Sequence, residues 1–292
     1  MRRSLLFIPG NNPGMLMGAD MHGADAVIFD LEDAVAPTEK DAARILVRNA
    51  MRAMPDLGVE VVVRVNPLAT DYFIQDIQTM VPLHPALLMP TKVASAEDVA
   101  HISTAVAAIE QANGMPEGSI GLLPLLETAQ GIENAFAIAD CDLRVKGLLL
   151  GAEDLSSDLQ AIRSKQGAEI LYARGRIVMA ARAAGVEVYD TPFTDVNDAE
   201  GMAEDARLAR ALGFSGKAVI SPRHVEAVNA AFTPTEDEII YAREVMLAIA
   251  EAQQQGRGAI SLRGKMVDKP IVDRAQRVLA TAKQLGLEGS DL

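Results

Sequence analysis

The feature that most constrains this chain is an alternation of short apolar runs with longer amphipathic ones. Eight runs read as strands: Leu5–Ile8, Ala26–Phe29, Val59–Val65, Ala86–Met89, Ile120–Leu126, Lys146–Leu150, Val186–Tyr189 and Lys217–Ile220. Most lack polar alternation, the pattern of parallel strands buried on both faces. Pro124 weakens the fifth. Helical periodicity fills the gaps. Val99, Ile102, Val106 and Ile109 fall on one helix face behind a capping Ser95, and Thr38 precedes a helix running to about Met54. The pattern predicts an α/β fold, a (β/α)8 TIM barrel, as the catalytic domain over residues 1–232. A doubly wound open sheet is the competitor. It lacks support because Pro9-Gly10-Asn11-Asn12-Pro13-Gly14 does not have the glycine spacing of a dinucleotide loop.

After Phe232 the pattern changes. Thr233-Pro234-Thr235-Glu236 opens a long helix to about Gln255, with Ile239, Ala242, Met246 and Ile249 on one face. Gly256-Arg257-Gly258 begins a loop to Pro270, and a last helix runs from about Ile271 to Leu285. Residues 233–292 are therefore read as additional C-terminal helices and a loop, packing on a neighbouring subunit.

Composition narrows the partners. Lys and Arg number 27 against 40 Asp and Glu, a net charge of −13, which argues against a protein that neutralises nucleic-acid phosphates. No apolar run approaches the length of a membrane span, so no membrane partner is expected. Cys141 is the one cysteine, so no disulfide forms within the chain; a buried thiol and a cytoplasmic location are expected. The four histidines, His22, His84, His101 and His224, have no metal-ligand spacing and read as structural or exposed.

In a barrel, chemistry collects at the C-terminal strand ends. Those ends carry Asp30-Leu31-Glu32-Asp33, Arg64-Val65-Asn66, Pro90-Thr91-Lys92, Glu127-Thr128, Gly151-Ala152-Glu153-Asp154, Asp190-Thr191 and Ser221-Pro222-Arg223. Glu127 and Asp154 end adjacent predicted strands and can converge on one ion. Two carboxylates, waters and a chelating substrate suit Mg²⁺. Asp30, Glu32 and Asp33 cluster nearby, and Asp30 and Asp33 suit a second layer that accepts hydrogen bonds from metal-bound waters. Arg64 suits a substrate carboxylate, with a structural ion pair as the plain alternative. Lys92 reads as a phosphate ligand, a Schiff-base nucleophile or a surface lysine.

Five segments carry a family resemblance: Arg2-Arg3-Ser4-Leu5-Leu6-Phe7-Ile8-Pro9-Gly10, Phe29-Asp30-Leu31-Glu32-Asp33, Arg64-Val65-Asn66, Gly151-Ala152-Glu153-Asp154 and Gly264-Lys265-Met266-Val267-Asp268. Together they resemble the citrate lyase β-subunit family and the related malyl-CoA and citramalyl-CoA lyases of the HpcH/HpaI aldolase-like superfamily. The resemblance implies a (β/α)8 barrel, Mg²⁺ and a symmetric homo-oligomer, a trimer or hexamer. It implies a carbon–carbon lyase that cleaves a β-hydroxyacyl thioester into a 2-keto acid and an acetyl thioester. It also implies Glu127 and Asp154 as metal ligands, Glu127 and Arg64 in substrate binding, and Asp268 as a catalytic acid/base on a loop that reaches a neighbouring subunit's site. Backbone N–H groups near Pro9-Gly10 are candidates to hold the thioester enolate.

The chain also departs from the pattern. Thr91 separates Pro90 from Lys92, Leu155 stands where citrate lyase β subunits more typically have an aromatic, and Leu125-Leu126-Glu127-Thr128 replaces the usual Ile-Glu-Ser. These departures lean toward a stand-alone acyl-CoA lyase. The alternatives are a β subunit working on citryl-acyl-carrier protein within a larger complex, or a Schiff-base aldolase.

Overall fold

The computed structural model describes residues 1–54, 58–254 and 260–287. It divides into two compact units, residues 2–230 and 231–292.

The first unit is built on parallel strands β1 (Ser4–Pro9), β2 (Ala26–Asp30), β3 (Glu60–Val65), β4 (Leu87–Pro90), β5 (Gly121–Leu122), β6 (Leu125–Leu126), β7 (Gly147–Leu150), β8 (Glu187–Asp190) and β9 (Gly216–Val219). Their order is β5-β4-β3-β2-β1-β9-β8-β7-β6, so the two ends of the sheet are consecutive in sequence. Only Leu123 and Pro124 separate them. The Leu123 N–H donates to Leu88 O on one side (2.8 Å), and Leu149 N–H donates to Pro124 O on the other (3.0 Å). The predicted fifth strand is therefore split. Its first half pairs with β4 and its second with β7; Leu122 of the first half also bridges to Val145 just before β7, and the ring closes through these contacts. Proline has no N–H for a ladder, which is why the split falls there.

Side-chain alternation along the strands fills the interior. Leu5, Ala26, Ile28, Val62, Leu87, Met89, Leu123, Leu125, Leu149, Tyr189 and Ala218 form one buried cluster, with Phe7 packed against it. Continuing the same two-residue phase toward the C-terminal ends gives Asp30 after Ile28, Arg64 after Val62, Glu127 after Leu125 and Gly151 after Leu149. On β2, β3 and β6 the interior thus turns from apolar to ionic within one step, while β7 leaves space with glycine.

Helices cover the outer face. Helix Ala96–Ala112 starts at Ser95 with a capping box, in which Asp98 and Ser95 exchange side-chain-to-backbone hydrogen bonds. Helix Lys40–Ala53 follows a short 3₁₀ turn, Pro37–Glu39. Cys141 corrects an expectation: at the end of helix Ala135–Asp140 it is exposed, not buried.

The second unit contains helices Glu236–Gln254 and Lys269–Gln284 around Ala242, Val245, Val267 and Ala275. Part of what reads as a loop is an antiparallel hairpin, β10 (Ile260–Leu262) and β11 (Lys265–Val267). Arg263 and Gly264 turn it, both with positive φ. Gly256-Arg257-Gly258 lies outside the described residues. Among the described residues, no helix is long and apolar enough to cross a membrane.

Candidate active site

A cavity of about 310 Å³ opens at the C-terminal end of the first unit's strands. Its ionic lining includes Asp30, Asp33, Arg64, Glu127, Glu153 and Asp154. Phe7, Leu125, Leu149 and Ile220 supply apolar wall.

Arg64 and Asp30 are register partners on β3 and β2. Their side chains meet in a two-pronged pair, Arg64 Nε to Asp30 Oδ1 at 2.7 Å and Nη2 to Oδ2 at 2.6 Å. Asp30 also accepts from the Glu32 N–H (2.8 Å) and the Ala34 N–H (3.1 Å). Each Asp30 oxygen thus takes two donors, and its task in this structure is to anchor Arg64 and the following turn. Arg64 makes the structural ion pair that the sequence offered as the plain alternative. One edge of its fork is in a structural ion pair, yet the residue still lines the cavity. Its Nη1 lies 3.3 Å from Glu32 Oε2 and 3.9 Å from Asp33 Oδ2. The guanidinium also stacks 4.9 Å over the Phe7 ring. Although burial opposes its charge, Asp30, Glu32 and Asp33 raise its pKa further above the ordinary arginine value.

Glu127 is 3% exposed. Burial, followed by the charges of Asp154 and Glu32, pushes its carboxyl up to about 8, against opposing effects from Arg64 and the Lys92 N–H. That N–H donates to Glu127 Oε1 at 2.9 Å. Gly151 is what makes room for this carboxylate. A Cβ there would stand 2.6 Å from Glu127 Cβ and 2.8 Å from Oε2. Asp154 lies in the first turn of helix Ala152–Asp158, with its side chain 38% exposed. Glu32 is buried, and burial, outweighing the pull of Arg64, raises its pKa.

Lys92 joins these groups. Its Nζ lies 3.2 Å from Asp154 Oδ2 and 3.5 Å from Glu32 Oε1. Burial alone would lower its pKa; Asp154, Glu32 and Glu127 together raise it. A Schiff-base nucleophile needs a free amine at neutral pH, so this environment works against the aldolase alternative. The backbone group proposed for the enolate is also engaged: the Gly10 N–H donates to Asp30 O at 2.8 Å.

Asp268 belongs to the second unit. It is exposed at the start of helix Lys269–Gln284, where it makes no side-chain capping hydrogen bond.

Two supports escaped the sequence reading. Lys40 is buried and donates to Leu31 O (2.9 Å) and Glu32 O (2.7 Å), fixing the acid-rich turn. Behind β8 and β9, Lys217 and Arg174 meet Asp190 and Asp205, all with side chains no more than 12% exposed. Lys217 Nζ also donates to Thr191 O (2.6 Å), and Thr191 Oγ1 accepts the Ala152 N–H (3.2 Å). The quartet thereby holds the start of the helix that carries Asp154. His224, the buried histidine, packs edge-on to Phe193.

Among the described residues, no three His, Cys, Asp or Glu side chains form a ready-made metal cage. Paired carboxylates beside an open cavity are instead what Mg²⁺ uses when waters and substrate complete its shell.

The site is thus a carboxylate pair and an anchored arginine lining one cavity at the mouth of a parallel barrel. The comparisons give the chain its family. Residues 3–222 match the HpcH/HpaI aldolase/citrate lyase family model, and the chain belongs to this family of carbon–carbon lyases. It is 43% identical over 291 residues to citrate lyase subunit beta of Leuconostoc mesenteroides subsp. cremoris, covering 100% of this chain and 96% of the relative. It is 32% identical to the mitochondrial citramalyl-CoA lyase of Homo sapiens, covering 97% and 86%. CitE from Mycobacterium tuberculosis, solved in complex with magnesium, acetoacetate and coenzyme A, superposes with a TM-score of 0.79 at 31% identity, covering 97% of this chain and 98% of that one.

Proposed function

We propose that this chain is a Mg²⁺-dependent lyase that cleaves a β-hydroxyacyl thioester into a 2-keto acid and an acetyl thioester. The observation that carries the reading is the meeting of buried Glu127, Asp154 and anchored Arg64 around one cavity. Glu127 and Asp154 would hold the metal. Gly151 supports the fit, because its missing Cβ leaves the space in which Glu127 faces the mouth. When bound, Mg²⁺ supplies Lewis-acid polarisation of the substrate's hydroxyl and carboxylate oxygens.

The protein's own groups do the rest. Arg64, held by Asp30, presents its remaining edge to the substrate carboxylate. Glu32 and Asp33 set the orientation of that edge. Phe7, Leu125 and Leu149 form a wall that limits water around the reacting carbons. Asp268, contributed by a neighbouring copy in a homo-oligomer, moves the proton at the acetyl carbon.

The carrier is the finer question. The departures in sequence lean toward CoA, while identity is higher to the citrate lyase subunit than to citramalyl-CoA lyase, at 43% against 32%. That difference favours citryl-type substrates, including a carrier-protein thioester. The test is 2-keto acid release from citryl, citramalyl and malyl thioesters, each on CoA and on acyl-carrier protein, with Mg²⁺ and then with EDTA. Cleavage abolished by EDTA is expected. Cleavage that survives EDTA, or none on any thioester, overturns the proposal.

A further inference from the structure

Lys92 is placed unusually for a lysine at a strand end. Its φ is +56°, a left-handed conformation that costs a non-glycine residue backbone strain. That conformation aims two groups at two carboxylates. The N–H donates to Glu127 Oε1, and the ammonium lies 3.2 Å from Asp154 Oδ2. Buried Thr91, whose hydroxyl donates to Val65 O at 3.3 Å, fixes the residue before it.

The second carboxylate within reach of the ammonium has a vacancy of a specific kind. Glu32 Oε2 lies 3.3 Å from Arg64 Nη1 and accepts the Asp33 N–H at 2.9 Å. Its other oxygen, Oε1, faces Lys92 at 3.5 Å, close enough for attraction and too long for a good hydrogen bond. The Lys92 side chain is 42% exposed, so it can make that short move.

We propose that Lys92 is the internal counter-ion of the metal site, resting on Asp154 in the metal-free protein and passing to Glu32 when the metal takes Asp154. This inference rests on the reading of Glu127 and Asp154 as metal ligands. The charges balance in the loaded state. Glu32, Glu127 and Asp154 contribute three negative charges, and Lys92 with a divalent ion contributes three positive ones; Asp30 is paired with Arg64 and Glu153 with Arg163, which leaves the exposed Asp33 at the rim. In the metal-free state the same ammonium limits repulsion among the acids. It is therefore a competitor the metal must displace, and it sets metal affinity.

The test is Mg²⁺ binding measured by calorimetry, without substrate, on wild type, Lys92→Met, Lys92→Arg and the Glu32→Gln versions of wild type and Lys92→Met. Removing a unit charge at this distance should tighten Mg²⁺ binding in Lys92→Met by roughly 10-fold or more. Lys92→Arg, which keeps the charge, should bind Mg²⁺ near the wild-type level. Glu32→Gln should weaken binding more when Lys92 is present than in the Lys92→Met background, because the ammonium loses its second resting place. Equal or weaker Mg²⁺ binding in a folded Lys92→Met protein overturns this inference and leaves the metal reading intact. No Mg²⁺ binding by the wild type overturns the metal reading and this inference together.

Discussion

Arg64 is fixed by its neighbours in the fold. Its Nε and Nη2 are committed to Asp30, so the position of the guanidinium is set before any substrate arrives. A lysine keeps the charge but cannot make the two-pronged contact. Arg64→Lys should lower kcat/KM by roughly 10- to 100-fold, the weight of a charged hydrogen bond of about 1.5–3 kcal/mol. Asp30→Asn should reproduce part of that loss through KM, because Arg64 then loses its anchor. Steady-state kinetics on the two variants checks both. The sequence places all these residues at strand ends, but the coupling is hidden until the register is known. Asp30 faces Arg64 across β2 and β3, and Asp190 faces Lys217 across β8 and β9. Each is a pairing of residues far apart in the chain, and it depends on which rows align. Alternation alone was a usable clue. Asp30 and Glu127 continue the inward phase of Ile28 and Leu125, whereas Asp33 lies beyond its strand in the following turn.

At the level of single elements, the start of helix Ala152–Asp158 governs the site. Gly151 allows Glu127 to stand beside it, and Thr191 holds the first helical N–H. Gly151→Ala should displace Glu127 or the helix start, destabilise the fold by about 1–3 kcal/mol and weaken Mg²⁺ binding. Urea unfolding and Mg²⁺ calorimetry would report the two effects. Thr191→Val leaves the buried Ala152 N–H without its acceptor and should cost about 1–3 kcal/mol in the same unfolding assay. Strand existence was legible because burial on both faces demands apolar runs. The β10–β11 hairpin was not, because its strands are three residues each, too short for a period to stand out. The split of the fifth strand was foreshadowed only by Pro124.

For the molecule as a whole, acid stability is tied to an ion pair that takes no part in lining the cavity. Glu110 accepts from Arg144 at 2.8 and 2.6 Å and from the Ile120 and Gly118 N–H groups at 2.9 Å each. Burial opposes its charge, but Arg144 and these N–H groups prevail and bring its pKa down to about 2. A carboxylate lowered on folding adds stability above its ordinary pKa of about 4.5, and that stability fades as pH falls toward 2. Glu110→Gln should therefore lower stability near neutral pH and flatten the decline between about pH 4.5 and 2. Denaturant midpoints measured across that range test it.

The split strand has a consequence for the mouth. Glu127 follows β6 and Asp154 follows β7, so the two carboxylates stand on the same ladder-joined side of the Leu123–Pro124 seam. Lys92 follows β4, on the other side. Leu122 is bonded on both sides, to β4 through the ladder and to Arg144 O and the Lys146 N–H on the β7 side, so below the mouth the ring is continuous and only the ends of β4 and β6 lie unpaired with each other. At the rim the carboxylate pair therefore shares one pair of laddered strands, and the cation stands on the strand facing them. The Lys92 N–H on Glu127 is a stitch between them.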